Sequence, residues 1–465
     1  MGLHKVPRIL IAAPASGSGK TLIICGILEL FRQMNIEPVS YKCGPDYIDP
    51  MFHRNVLGIN GSNLDSFFCS DEKLNEIVNG THGKIAVIEG VMGIYDGVAV
   101  DSDAGSCYSI ARAVDAGIIL VVDARGQGRT VISLIKGILA DDSSKLIKGI
   151  IINRMSEYFY KKLAPVLEHE LDIIRPDVKL IGFIPKLDGI NLESRHLGLK
   201  MPEEIEGLRQ QIELVAGKIA EFCDVNKILE ISRYGRPDGD ADNIVSDSKR
   251  NMKGHEVDIT LAIARDEAFC FYYRENIELL EKSGITIKYF SPINDENIPE
   301  ADGLLLGGGY PELYLDRLSG NISMINSIRD ALANGMPCLA ECGGFMYLHD
   351  SIRDDKNQTY KMAGVIKGDC FYTGHLVRFG YITLNDSEKQ NNSAIAGMRG
   401  HEFHYYDSTS NGEAYIAVKP DGSKQWKCMI SDGVSYMGYP HLYYPSKPQF
   451  IDQFIENMKK YKEKV

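Results

Sequence analysis

Tryptophan occurs once in the 465 residues, and the 10 cysteines are few and scattered. Cys25, Cys43, Cys69, Cys107, Cys223, Cys270, Cys338, Cys342, Cys370 and Cys428 form no Cys-x-x-Cys pair and no regular ladder. That argues against a structural zinc site or a disulfide framework. Positive charge is also in deficit: 51 Lys and Arg face 63 Asp and Glu, a formal net charge of -12, and no basic run gathers them. Such a surface repels a nucleic-acid backbone, so no nucleic acid is expected as a partner. A long apolar run is missing too. The amino-terminal apolar stretch, Ile9 to Ala13, is too short for a signal peptide or a membrane span and reads as a buried strand. No membrane association is expected, and the thiols should be reduced in the cytoplasm. What is present, 44% hydrophobic and 25% charged residues, is the composition of a folded globular chain long enough for two or three domains.

Short Ile- and Val-rich runs alternate with helix-length segments from Arg8 onward: RILIAA at 8–13, KIAVIEG at 84–90, AGIILVVDA at 116–124, IKGIIINR at 147–154 and KLIGFIP at 179–185. Continuous apolar runs of this kind predict parallel strands buried on both faces of a doubly wound α/β domain. TLIICGILELFRQM at 21–34 predicts a helix packed on that sheet. Apolar content falls between Asp224 and Asp258, which predicts a linker. A second alternation follows, with strands at 258–266, 285–292, 301–309 and 336–344 and a helix in EAFCFYYRENIELLEKSG up to Gly284. Beyond Asp369, FYTGHLVRFGYITL and GEAYIAVKP predict antiparallel strands.

The first strand runs directly into Pro14-Ala15-Ser16-Gly17-Ser18-Gly19-Lys20-Thr21 and then into a helix. This is the context of a phosphate-binding loop: small residues let backbone N–H groups approach phosphate oxygens, and the helix start adds positive potential. Lys20 would reach the terminal phosphates and Thr21 a magnesium ion bound with ATP. Pro14 stands where the usual first glycine would be. Acidic residues follow at strand ends, Asp46 and Asp49 in YKCGPDYIDP, Glu89 and Asp96 in EGVMGIYDG, where hard oxygen ligands suit magnesium. A loop cap or a solvated charge is the plainer reading of any one of them alone. Lys42 could hold an anionic substrate near the terminal phosphate.

Ser-Gly-Ser-Gly-Lys-Thr resembles the deviant phosphate loop of dethiobiotin synthetase, the cobyrinate amidases and the septum-site and plasmid-partition ATPases. Ser16 occupies the place where the last group carries a second lysine, which disfavours a partition-type regulatory ATPase. KCGPDYIDPMFH at 42–53, EGVMGIYDG at 89–97 and LESRHLGL at 192–199 are similar, in order and spacing, to the motif set of the cobyrinic acid a,c-diamide synthase family. The phosphate-loop resemblance implies an ATP-binding set of Ser16, Gly17, Ser18, Gly19, Lys20 and Thr21, and a looser similarity to dethiobiotin synthetase adds Asn153, on the adenine. The synthase-family resemblance implies Asp46, Glu89 and Asp96, beside Lys42, around the carboxylate to be activated, and the similarity to dethiobiotin synthetase implies Thr21, Asp46 and Glu89 around magnesium. Glu193, Arg195 and His196 lie in a family motif without derivable individual roles.

In the second half, MPCLAECGGFMYL places Cys342 after an apolar strand and before glycines and a helix, as a nucleophile elbow does. Cys338 reads as a buried apolar side chain. The strand ending in Leu306-Gly307-Gly308-Gly309 could set its N–H groups opposite those of Cys342 and Gly343 as an oxyanion hole. His441 is the candidate base, with His401 and His404 of GHEFHYY as competitors. LGGGYPEL, AECGGFMYL, GHEFHYY and the final His resemble the class I glutamine amidotransferase domain of the cobyrinate and cobyrate amidases. That implies Cys342 as nucleophile, His441 as its partner, and Gly309 and Gly343 as oxyanion donors. Tyr443 stands where relatives often carry a second His. No acid follows two residues after His441, and Glu341 and Glu402 have no assignable role.

Together these readings imply a dethiobiotin-synthetase-like phosphate-loop amidoligase domain at 1–223, a linker at 224–257, an amidotransferase domain at 258–448 and a terminal helix or tail at 449–465. The implied reaction is ATP- and glutamine-dependent amidation of the a- and c-acetates of a tetrapyrrole. Cobyrinic acid and nickel sirohydrochlorin both remain open as substrate, a cobyric acid synthase is disfavoured, and a homodimer is left open.

Overall fold

The computed structural model describes residues 5–80, 83–98, 100–187, 190, 202–235, 258–388 and 393–464. Glu193, Arg195 and His196 lie outside the described residues. The chain divides into two compact units, Met1–Ser246 and Asp247–Val465. Among the described residues no helix is long and apolar enough to cross a membrane.

The first unit is built on seven strands: β1 (Arg8–Ala12), β2 (Pro38–Cys43), β3 (Gly61–Leu64), β4 (Ile85–Glu89), β5 (Gly117–Asp123), β6 (Ile147–Asn153) and β7 (Lys179–Ile184). They pair in the order β3-β2-β4-β1-β5-β6-β7, all parallel. The five strands expected from apolar runs are β1 and β4 to β7. Two more, β2 and β3, carry no such signal: in PVSYKC the buried positions include Ser40 and Lys42, and GSNL is short and polar. Helix α1 (Lys20–Gln33) covers the sheet beside helix Pro202–Phe222, and Gly26 permits that approach. A Cβ at position 26 would lie 2.6 Å from Ile219 Cδ1 and 2.7 Å from Val215 Cγ1. Ile23, Ile27, Phe31, Ile212, Val215 and Ile219 form part of one buried cluster there.

The linker expectation fails at its start. Asp224 caps a helix, Val225–Ser232, by accepting from the Asn226 and Lys227 N–H groups, and Ile228 and Ile231 join the first core. The low overall apolar content hides a short amphipathic turn pair, and residues 236–257 lie outside the described set.

The second unit has β8 (Thr260–Ala264), β9 (Thr286–Phe290), β10 (Gly303–Leu306) and β11 (Cys338–Glu341) in parallel, in the order β11-β10-β8-β9. Tyr436–Gly438 adds a further parallel strand beside β11. The helix expected to start near Glu267 begins only at Arg274 and ends at Lys282. The apolar residues before it are pinned as loop instead: Cys270 and Phe271 N–H groups both donate to the Gly308 carbonyl at 3.0 Å, and Phe269 is buried in the core. An antiparallel sheet joins Gln425–Cys428, Tyr415–Val418, Arg378–Asp386, Arg399–His404 and His441–Leu442 in that order. The chain closes with helix Gln449–Lys462, whose Phe450, Phe454 and Met458 complete the second core.

Candidate active sites

Each unit places one cluster of the anticipated residues at the carboxyl ends of its parallel strands, where open α/β sheets hold ligands. In the first, the chain leaves β1 and turns through Gly17 (φ +76°) and Gly19 (φ +88°), both left-handed, before α1 begins at Lys20. Ser16 and Gly17 are exposed at the mouth. Ser18 Oγ donates to the Ala15 carbonyl at 2.8 Å, and the Asn153 amide donates to the Ser18 carbonyl at 2.8 Å. Arg154, itself left-handed, donates to the Gly17 carbonyl at 2.9 Å and to Asp123 at 2.7 Å. The loop is thus held from β6 and β5. Lys20 Nζ donates to the carbonyls of Met92 at 2.6 Å and Ala15 at 3.3 Å, and burial lowers its pKa.

The acidic residues converge on this loop through β2 and β4. Thr21 Oγ1 donates to Glu89 Oε1 at 2.6 Å, and Lys42 Nζ lies 3.0 Å from the same oxygen and 2.6 Å from Asp49 Oδ2. Burial pushes Glu89 up to about 7, with Asp49 adding repulsion. Burial works against the Lys42 charge, but Glu89 and Asp49 outweigh it and raise its pKa. Asp46 accepts from the N–H groups of Ile48 (2.8 Å) and Asp49 (3.2 Å), capping α2 (Ile48–Leu57), and burial raises its pKa. Asp96 accepts from the Gly93 N–H at 2.8 Å. A Cβ on Gly93 would lie 2.6 Å from both Asp96 Oδ2 and the Pro14 carbonyl, so EGVMGIYDG lies directly against the phosphate loop.

A magnesium ion bound with a nucleotide suits this donor set. Glu89 Oε2 is buried without a hydrogen-bond partner, beside a hydroxyl and further carboxylates. Among the described residues no cluster of three His, Cys, Asp or Glu could hold a metal by itself. Two residues here escaped the sequence reading. Arg154 gave no signal, whereas His53, four residues after Asp49 on α2, carried a helical-spacing one; its Nδ1 is 2.7 Å from Ser40 Oγ and its Nε2 3.9 Å from Glu89 Oε2.

In the second unit Cys342 sits at φ +45°, ψ −101°, a conformation side-chain-bearing residues rarely adopt and a mark of a strained elbow. Burial pushes its thiol pKa up, and nearby Glu312 and Glu402 push it further. The resting thiol is therefore protonated, and a nucleophilic role for it would require a base. The glycine loop borders both His441 and the turn after Cys342: a Cβ on Gly308 would lie 2.3 Å from His441 Cε1, and a Cβ on Gly343 would lie 3.3 Å from the Gly309 N. Gly309 thus lies beside Gly343, and its neighbour Gly308 beside His441. The Cys342 N–H is not available to an oxyanion, since it donates to the Gly438 carbonyl at 2.8 Å, leaving Gly309 and Gly343 as the candidate donors. The two competitor histidines are also near. His401 stacks on His441, with ring centroids 4.9 Å apart and planes 15° from parallel. His404 is bonded to Glu402 at 2.9 Å and stacks on Tyr439.

Glu341 has a place that sequence did not give it. Its carboxyl accepts from the Tyr444 hydroxyl at 2.8 Å and the Leu442 N–H at 3.4 Å, tying the nucleophile turn to the strand carrying His441. Burial raises it to about 8. Its position next to Cys342 was the one available clue.

Residues 9–199 match the CobQ/CobB/MinD/ParA nucleotide binding domain, and residues 260–447 match the CobB/CobQ-like glutamine amidotransferase domain. The chain is 37% identical to a cobyrinate a,c-diamide synthase of Picrophilus torridus, over 97% of this chain and 99% of the relative. The chain belongs to the cobyrinate a,c-diamide synthase family. Its relative in Fusobacterium nucleatum is 36% identical over 96% of this chain and 99% of the relative, and that in Listeria innocua 35% over 96% and 98%. As in that family, this chain is an ATP-dependent, glutamine-using, amide-forming ligase, with the nucleotide site in the first unit and the glutamine site in the second.

Proposed function

We propose that the chain amidates the a- and c-acetate carboxylates of cobyrinic acid, drawing nitrogen from glutamine. The observation that carries the two half-reactions is the presence in one chain of a phosphate loop whose Thr21 meets Lys42 of β2 on Glu89, and of a strained Cys342 turn bordered by a glycine loop that also packs on His441. The whole-length similarity to relatives named for the cobyrinate reaction supports the acceptor.

In the second unit His441 takes the Cys342 proton as the sulfur attacks the side-chain amide of glutamine. Gly309 and Gly343 N–H groups receive the oxyanion, ammonia leaves, and water clears the thioester. In the first unit Ser16 to Thr21 cradle the triphosphate, Lys20 leaves its carbonyl partners for the terminal phosphates, and Asn153 contacts the adenine. Lys42, Asp46 and Asp96 position the substrate carboxylate, which attacks the terminal phosphorus, breaks its bond to the bridging oxygen and gives an acyl phosphate and ADP. Ammonia then displaces phosphate and leaves the amide. Thr21, Asp46 and Glu89 would hold magnesium, which neutralises phosphate charge. All ten cysteines are free, which supports a reducing, cytoplasmic setting.

The test is mass spectrometry of products after incubation with ATP, magnesium and glutamine, with cobyrinic acid and nickel sirohydrochlorin in parallel. Two successive carboxyl-to-amide conversions of cobyrinic acid are expected. Conversion of nickel sirohydrochlorin alone would replace the substrate, and conversion of neither with glutaminase intact would refute a tetrapyrrole acceptor.

A further inference from the structure

A histidine that accepts a proton from a nucleophile has to be held in one ring orientation, a task usually given to a carboxylate. Both buried carboxyl groups closest in sequence to this site are bound elsewhere. Glu341 accepts from Tyr444 and Leu442, while Glu402 accepts from the Trp426 indole at 3.0 Å and pairs with His404 at 2.9 Å. Position 443, two residues after His441, is a tyrosine packed edge-on to Tyr273.

What lies on the His441 ring is a second imidazole. His401 is its register partner across the antiparallel pair, and the rings stack at 4.9 Å and 15°. His401 is in turn tied down, its Nδ1 3.0 Å from the hydroxyl of buried Tyr273. The Gly308 backbone closes against the Cε1 side of His441, so the ring has little freedom to turn.

We infer that His401 is a positioning residue for the glutaminase half-reaction: anchored by Tyr273, its ring fixes the plane of His441 and presents an uncharged π face to the imidazolium formed when His441 takes the Cys342 proton. The inference rests on the reading of His441 as proton acceptor. Burial lowers His401 to about 3, so the stacked ring is uncharged near neutral pH; a charge on it would instead oppose the imidazolium at His441. No bond is made or broken at His401.

The test measures glutamate release and amide formation by the full chain, with glutamine or with ammonium as nitrogen source. His401→Ala should lower kcat for glutamate release about 100-fold, with KM little changed, because misorienting a catalytic group costs about that much. His401→Phe, which restores a stacked ring, should recover to within about tenfold of wild type. Ammonium-supported amidation should persist in both. An unchanged kcat in His401→Ala, a loss expressed only in KM, or a Phe variant no better than Ala would each overturn the inference. Should His401→Ala fail to fold, Tyr273→Phe decides: a severalfold fall in kcat supports the anchor, and an unchanged kcat refutes it. His441→Ala separates the two readings, since glutaminase surviving in that variant would remove the underlying assignment rather than the role of His401.

Discussion

The two sites differ in how far their buried groups are paired with opposite charge. Around the phosphate loop, opposite charges are paired: buried Lys42 against Asp49 and Glu89, half-buried Arg154 against Asp123, with Lys20 on backbone carbonyls, even though burial raises Glu89 and lowers Lys20. Around Cys342, burial drives the titratable groups toward their neutral forms: the thiol pKa is raised, His401 and His441 are lowered, and Glu341 is raised. The difference follows from the reactions. Phosphoryl transfer starts from a highly charged substrate and needs standing positive charge and metal ligands. Glutamine arrives with a neutral amide at its reacting end, and charge develops only as sulfur attacks, so a dry, uncharged pocket with oriented N–H groups stabilises the transition state most.

The sharpest way to break this comparison is to silence one site at a time. Cys342→Ala should reduce glutamine-dependent amide formation about 10⁴-fold or more, while ammonium still supports amidation at the wild-type rate. Loss of both activities in a folded variant would show that the sites do not divide the work. Lys20→Ala should cost about 10²- to 10³-fold with either nitrogen source, as removal of one charge-stabilising donor does, and leave glutaminase turnover measurable. Near-normal ammonium-supported rates there would remove the phosphate-loop assignment.

Gly308 probes the second site by shape alone. A methyl group at 308 would overlap His441, so Gly308→Ala should displace the ring and lower glutaminase kcat about 10- to 100-fold. Overpacking of this kind costs about 1–3 kcal/mol of stability, which a thermal melt should register, and ammonium-supported amidation should remain. Full glutaminase activity in the variant would mean that His441 is not held by the glycine loop.

The two regions also differ in how legibly they were written. In the first unit, β1 and its loop were readable because the apolar run, the glycines and Lys20-Thr21 are adjacent. Strand β2 was not, since its inward positions Ser40 and Lys42 serve the site and not the core, which erases the apolar signature. In the second unit the nucleophile elbow was local and legible, but its support is built from residues far apart. Tyr273 to His401 spans 128 positions and Glu341 to Tyr444 spans 103, so only the folded chain brings them together. The same cause misled the helix expectation at 267–273. That apolar stretch lies along the Gly307–Gly309 strand end, with Tyr272 accepting from the Gly307 N–H at 2.9 Å, rather than coiling.

The smallest expected effect tests whether the second site is as dry as argued. Glu341 is raised from an ordinary value of 4.5 to about 8 by burial, so between those values the folded chain keeps a proton that the unfolded chain has released. Stability attributable to this group then falls as pH rises through that window, because the native state binds more protons. Glu341→Gln removes the titration while keeping one acceptor for Tyr444 or Leu442. The variant's unfolding midpoint relative to wild type should therefore be more favourable at pH 8 than at pH 5, whatever its offset at pH 5 from the altered hydrogen bonds. A difference that does not change with pH would mean that Glu341 ionises as a solvated carboxylate does. The contrast between a charged first site and a neutral second one would then stop at the imidazoles and the thiol.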